Sequence, residues 1–236
     1  MLLRGYKMKN DNINNINDTN INKQIKEDMK NLYQKRDKNY NFTANLYYLI
    51  GVREWAYRKK AVKALKLQRG NTVVDLCCGT GLNFSLLQQY IGTEGKIIGV
   101  DLTDAMLEQA QIRVEKNGWS NVELVQSDAA KYNFPPDIDG VISTFAITLV
   151  PEYDITLQNV SKSLRSGKRC AIFEIKRPTN WLKYFSFLAR PFLNPFGQTK
   201  EVEKRHPWES INKYFNNTSM TEYYFGIVYL SVGEVP

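Results

Sequence analysis

A chain of 236 residues, 43% apolar and 12% aromatic, is long and greasy enough to close one sizeable core, so a single globular domain with appended elements is expected. Its net charge of +8 is unevenly placed: residues 1–70 carry 16 Lys/Arg against 6 Asp/Glu, residues 71–150 carry 4 against 10, and residues 151–236 carry 12 against 8. Three cysteines, two of them adjacent, exclude a disulfide framework and fit a reducing cytoplasm, while the lack of any run of about 18 apolar residues excludes a membrane-spanning helix.

Taken in chain order, the start MLLRGYKMKN lacks the apolar stretch of a signal peptide. The following KNDNINNINDTNINK holds seven Asn and isolated Ile residues without a helical or strand period. Such a composition buries too little apolar surface to offset ordering entropy, and residues 1–23 are expected to be a disordered tail. Residues 24–70 read as a helical cap: QIKEDMKNLYQKRDKNY is a polar helix, and VREWAYRKKAVKALKLQRG is amphipathic and basic, with Val52, Trp55, Val62 and Leu65 in one stripe and a stop at Gly70. Basic flanks of this kind suit an anionic surface, phospholipid or nucleic acid, or are simply solvated.

From residue 71 the rhythm changes. Short Val/Ile/Leu runs (NTVVDL, KIIGVDL, NVELVQSD, DGVISTFAI, RCAIFEI) alternate with helical stretches (SLLQQYIG, DAMLEQAQIRVEKNG, EYDITLQNVSKSLRSG). That alternation predicts an α/β fold over residues 71–178, a doubly wound, mainly parallel sheet whose ligand sits beyond the carboxyl ends of the strands. Residues 179–236 differ, with 13 aromatics among 58 residues and with Pro191, Pro195 and Pro207. They read as an aromatic lid ending in a strand pair or edge strand at TEYYFGIVYLSVG.

The first strand runs into Gly79-Thr80-Gly81. A Gly-x-Gly alone is a weak signal. The third glycine of a dinucleotide fingerprint would fall at Phe84, and Asp75 at the strand end would repel a pyrophosphate. A phosphate-free ligand with a cationic end, S-adenosylmethionine, fits better. Asp101, closing the second strand, is placed to accept hydrogen bonds from both ribose hydroxyls. Asp128 after the third strand can accept from the adenine amine, the Ala129 N–H can meet a ring nitrogen, and Leu102 and Met106 supply apolar walls. Thr144, at the end of the fourth strand, completes the cofactor side.

The D-L-C-C-G-T-G turn, G-V-D-L-T-D-A-M-L, the Ser127-Asp128-Ala129 triplet and A-I-F-E-I-K-R-P resemble class I S-adenosylmethionine-dependent methyltransferases. The closest type is that of ubiquinone/menaquinone biosynthesis, with its phospholipid-methylating relatives. The resemblance covers about residues 40–178 and implies a Rossmann-like methyltransferase fold, with cofactor contacts by Asp75, Gly79, Gly81, Asp101, Leu102, Asp128 and Ala129. YNFTANLYY is similar to the family's Tyr-Asp-x-x-Ala-x-x-Tyr-Asp segment that folds over the cofactor, which implies a cofactor contact by Tyr40; Tyr40 and Tyr47 match, and Asn41 and Tyr48 depart.

Cys77 and Cys78 are expected to pack under the turn rather than bind metal, since adjacent residues point apart and no zinc spacing exists. The electrophile belongs to the cofactor, so the protein has to position the acceptor rather than supply a nucleophile. Strand-four residues Ser143 to Ile147, Glu174 and the aromatic tail are expected to form the acceptor wall. His206 is the candidate base and Glu174 the candidate partner of a cationic amine. Tyr40, Tyr47, Tyr48, Trp208, Tyr223 and Tyr224 could cage a methylated ammonium; NWLKYFSFLARPFLNPF has the make-up of an interfacial anchor or lid. The reading is methyl transfer to a small amphipathic acceptor, a lipid amine headgroup ahead of a prenyl quinone, by a cytoplasmic enzyme in peripheral contact with a membrane. An RNA or protein methyltransferase, or a non-catalytic cofactor-binding protein, stands as the alternative; no RNA-binding module is recognisable.

Overall fold

The structure, a computed structural model, describes residues 21–28, 31, 54–177 and 201–236. In chain order it contains helix α1 (21–28), α2 (Glu54–Ala64), β1 (Thr72–Leu76), α3 (Phe84–Ile91), β2 (Lys96–Asp101), α4 (Asp104–Asn117), β3 (Val122–Gln126), β4 (Ile138–Thr144), α5 (Tyr153–Ser163), β5 (Leu164–Ile175), α6 (Pro207–Tyr214), β6 (Asn216–Tyr223) and β7 (Val228–Glu234). One seven-stranded sheet has the order β3-β2-β1-β4-β5-β7-β6. The first five strands pair in parallel. β7 runs antiparallel between β5 and β6, so the chain end completes the sheet. This is the predicted α/β fold.

The Val/Ile-rich central strands are buried on both faces, as near-continuous apolar runs require. Val73, Phe84, Ile142 and Phe173 pack with α2, α3 and α4 on one face; Val74, Leu76, Ile172 and Ile211 pack with α5 and α6 on the other. Strand order reverses at β1 and β4, where a switch point opens a crevice at the carboxyl ends.

Several boundaries depart from expectation. Residues 21–23, within the segment read as a tail, are helical and belong to α1. α5 stops at Ser163, not near Gly167, because Arg165 and Lys168 pair with buried Asp139 at 3.0 and 3.3 Å and draw the chain into β5 early. β4 ends at Thr144: Phe145 takes a φ of +58°, and a short 3-10 turn follows at Ile147–Leu149. Tyr40, Tyr47, Tyr48 and the aromatic segment at 181–196 lie outside the described residues.

Candidate active site

An open cleft lies at the carboxyl ends of β1 to β4. Gly79, Asp101, Leu102, Met106, Asp128, Ala129 and Thr144, the residues read from the sequence as cofactor contacts, line it. Sequence reasoning missed Lys26, Arg58, Thr80, Leu82 and Thr103, and gave Cys77 and Cys78 only a packing role beneath the turn, whereas both reach the wall.

The two glycines of the opening turn have different duties. Gly79 (φ +54°) would place a Cβ in open space, so backbone meets ligand without a side chain between them. Gly81 (φ +73°) does not line the cleft. A Cβ there would stand 2.5 Å from the Phe84 ring, which fills the place where a dinucleotide fold brings its helix close.

Asp101 is held on both oxygens: Oδ2 accepts the Gly79 N–H at 2.8 Å and Oδ1 accepts that of Thr103 at 2.9 Å. Each oxygen keeps a second lone pair for a ligand hydroxyl. Burial raises its pKa, against the opposing effect of those N–H bonds. Asp128 Oδ1 accepts from Ala130 N at 3.0 Å, and its Oδ2 meets Lys26 Nζ at 2.7 Å.

At the other end, Arg58 on α2 is 5% exposed and donates to Asn83 Oδ1 at 3.0 Å and to Thr144 Oγ1. Asn83 Nδ2 donates to Asp75 Oδ1 at 2.9 Å and to Thr144 Oγ1 at 3.1 Å. With two donors on its oxygen, the Thr144 hydroxyl has its hydrogen left to offer the cleft. Guanidinium, amide and hydroxyl thus form a donor-rich end.

Besides Gly81, four expectations need correction. Asp75 is fully buried and off the cleft wall; it fixes Asn83 and, through it, Arg58 and Thr144, while burial pushes its carboxyl up to about 7. Its Oδ2 has no hydrogen-bond partner. Glu174 is also fully buried and off the wall. Its Oε1 accepts from Ala146 N at 2.6 Å and Thr148 N at 3.4 Å, and Oε2 accepts from Thr148 Oγ1 at 3.1 Å, so it builds the turn that carries the wall. Burial pushes this carboxyl, too, up to about 7. His206 stands before α6, stacked on Trp208 and 3.1 Å from Glu209 Oε1, away from the described cleft wall. Of the aromatics read as a cage, Tyr223 packs on Tyr57 with Lys60 over its ring, and Trp208 meets Tyr229 with Lys176 over its ring. The protein's own lysines take those faces.

Residues fit to hold an adenosine with a charged amino-acid tail therefore surround one crevice, at the switch point of a 3-2-1-4-5-7-6 sheet. The profile of the ubiE/COQ5 methyltransferase family matches residues 19–221. The chain belongs to the ubiE/COQ5 methyltransferase family. Among the family's proteins, it is similar to the demethylmenaquinone methyltransferase of Staphylococcus carnosus, 28% identical over 187 residues and 76% of each chain. It is also similar to that of Listeria welshimeri, 30% identical over 145 residues, 60% of this chain and 61% of the relative. A SAM-dependent methyltransferase from Aquifex aeolicus shares the fold with a TM-score of 0.58 at 19% identity, over 76% of this chain and 89% of that one. So does Haemonchus contortus phosphoethanolamine N-methyltransferase 2, solved with S-adenosyl-L-methionine, with a TM-score of 0.55 at 20% identity, over 71% and 38%. This ubiE/COQ5 member is an S-adenosylmethionine-dependent methyltransferase.

Proposed function

We propose that the acceptor is a prenylated hydroquinone, methylated on a ring carbon. The observation that carries this reading is the family match together with relatives named demethylmenaquinone methyltransferase. An apolar wall of Phe145, Ala146, Leu149, Val150 and Pro151 beside the cofactor end supports it, since it suits a flat ring better than a hydrated ammonium. A lipid amine headgroup, placed first from the sequence, draws no such support, because two of the cage aromatics, Tyr223 and Trp208, already carry Lys60 and Lys176.

The geometry of the cleft supports the following residue roles. Asp101 accepts the ribose hydroxyls, Asp128 and the Ala129 N–H take the adenine edge, Leu102 and Met106 flank the base, and Gly79 gives the backbone close approach. Arg58 and the Thr144 hydroxyl hold the carboxylate end, oriented from below by Asp75 and Asn83. S-adenosylmethionine supplies a methyl group activated on sulfur. The chain's own part would be to hold the ring carbon close to that methyl group and to exclude water with the turn that Glu174 braces.

Peripheral membrane contact belongs to the same reading. Trp55 is 48% and Phe225 72% exposed. Tyr57, on Trp55's helix, stacks on Phe173 near the carboxyl end of β5, and Tyr223, at the end of β6 before Phe225, packs on Tyr57. Both exposed rings thus sit on the cleft side of the sheet, with Lys59, Lys60 and Arg177 exposed around them. Aromatic rings amid cations suit an anionic bilayer surface. The reading is tested by offering the protein prenylated hydroquinones and phosphatidylethanolamine in the same vesicles and identifying the methylated lipid by mass spectrometry; methylated amine with untouched quinol would overturn it.

A further inference from the structure

We infer that Lys26 is a cofactor-site residue, the latch by which helix α1 closes the adenine end of the cleft, so that cofactor exchange requires α1 to undock. Lys26 Nζ lies 2.7 Å from Asp128 Oδ2 and 2.7 Å from Glu152 Oε2. Its side chain is 18% exposed and lines the cleft, and Asp128 is only 14% exposed. One ammonium thus joins the end of β3, on the cleft wall, to the start of α5 from a helix far away in sequence.

Two features set this contact apart from an ordinary surface pair. The first is the position of the acids. With one ammonium 2.7 Å from both, Asp128 and Glu152 face each other closely, and without Lys26 their like charges repel across the opening. Burial disfavours the charged amine, yet the bonds and charges of Asp128 and Glu152 outweigh it and raise its pKa, so the latch stays charged at neutral pH. The second is that Asp128 already takes Ala130 N on its other oxygen. With one oxygen on the backbone and one on Lys26, the carboxylate plane is fixed, and its remaining lone pairs present a set direction to an adenine amine. Lys26 is therefore a positioning residue for Asp128 as well as a closure.

The inference rests on Asp128 marking the adenine end, and the test separates the two ideas. Release of S-adenosylhomocysteine and of 5′-methylthioadenosine, which lacks the amino-acid tail, is followed by stopped-flow fluorescence in the full chain, in Lys26→Met and in Lys26→Arg. Lys26→Met should release both ligands about tenfold faster, with a smaller loss of equilibrium affinity because entry also quickens. Lys26→Arg should restore slow release, and Glu152→Gln, which keeps the bond to Asp128, should fall between. Wild-type release should quicken with salt and Lys26→Met release should not, because screening acts on the ion pairs alone. Faster release of S-adenosylhomocysteine only would place Lys26 at the tail end and refute the adenine assignment. Release of both ligands within about twofold of wild type, with the same salt response, would overturn the latch.

Discussion

Asp101 carries more than its place after β2 suggests. Because it holds Gly79 and Thr103 as well as facing the cleft, Asp101→Ala should remove two ligand bonds and also loosen the turn. Affinity for S-adenosylhomocysteine should fall by about tenfold to hundredfold, roughly 1.5–3 kcal/mol; calorimetry giving wild-type affinity would remove Asp101 from the site. Glu174 allows a pH test. Unfolded, its carboxyl ionises in the ordinary range; folded, it holds its proton up to about 7. Between those values the native state binds more protons, so this group's contribution falls as pH rises. Glu174→Gln has no proton to lose, and its melting temperature relative to wild type should rise from about pH 5 to about pH 8. A difference that stays flat or falls would mean that Glu174 ionises in the fold without cost. The acids were legible because strand ends announce themselves. Their directions were not: Asp75 and Glu174 alternate with apolar neighbours on strands buried on both faces, so nothing in the pattern says which way each points. Arg58 and Lys26 come from helices outside the βα rhythm and reach the cleft by tertiary packing alone.

At the scale of elements, the Gly-Thr-Gly turn makes a paired prediction. Gly79→Ala puts a methyl into the ligand's space and should weaken cofactor binding more than it lowers the melting temperature. Gly81→Ala drives a methyl into Phe84 and should do the reverse, costing roughly 1–3 kcal/mol of stability beyond the strain of a positive φ. Calorimetry and thermal melts on both variants decide it; equal profiles would show that the two glycines serve the turn alike. The parallel strands could be read from their apolar runs, and so could the helices between them. β6 could only be glimpsed at its end, because NNTSMTEY is exposed along nearly its whole length and has no alternation to mark a face. β4 ends sooner than its apolar run implies for a different reason: the bonds from Ala146 and Thr148 to Glu174 break the strand by a contact that is remote in sequence.

For the whole molecule, the cleft and the exposed rings lie at one end of the sheet, and the proposed membrane contact would make them a single working face. Binding to anionic vesicles should weaken as salt rises, at about 1 kcal/mol per cation near the surface, and a salt-insensitive remainder should drop in Trp55→Ala/Phe225→Ala. Sedimentation that shows no binding at low salt would detach the enzyme from the bilayer. The central claim is transfer of the cofactor's methyl group to a quinol ring carbon. Its most direct test supplies S-adenosylmethionine carrying an isotope-labelled methyl group, together with a demethylated prenyl hydroquinone in vesicles, and locates the label by NMR. The expected result is one labelled methyl on the ring carbon, with transfer by Asp101→Ala slowed when the cofactor is limiting. Label on oxygen or on a lipid amine, or intact cofactor binding with no transfer to the ring, would contradict it.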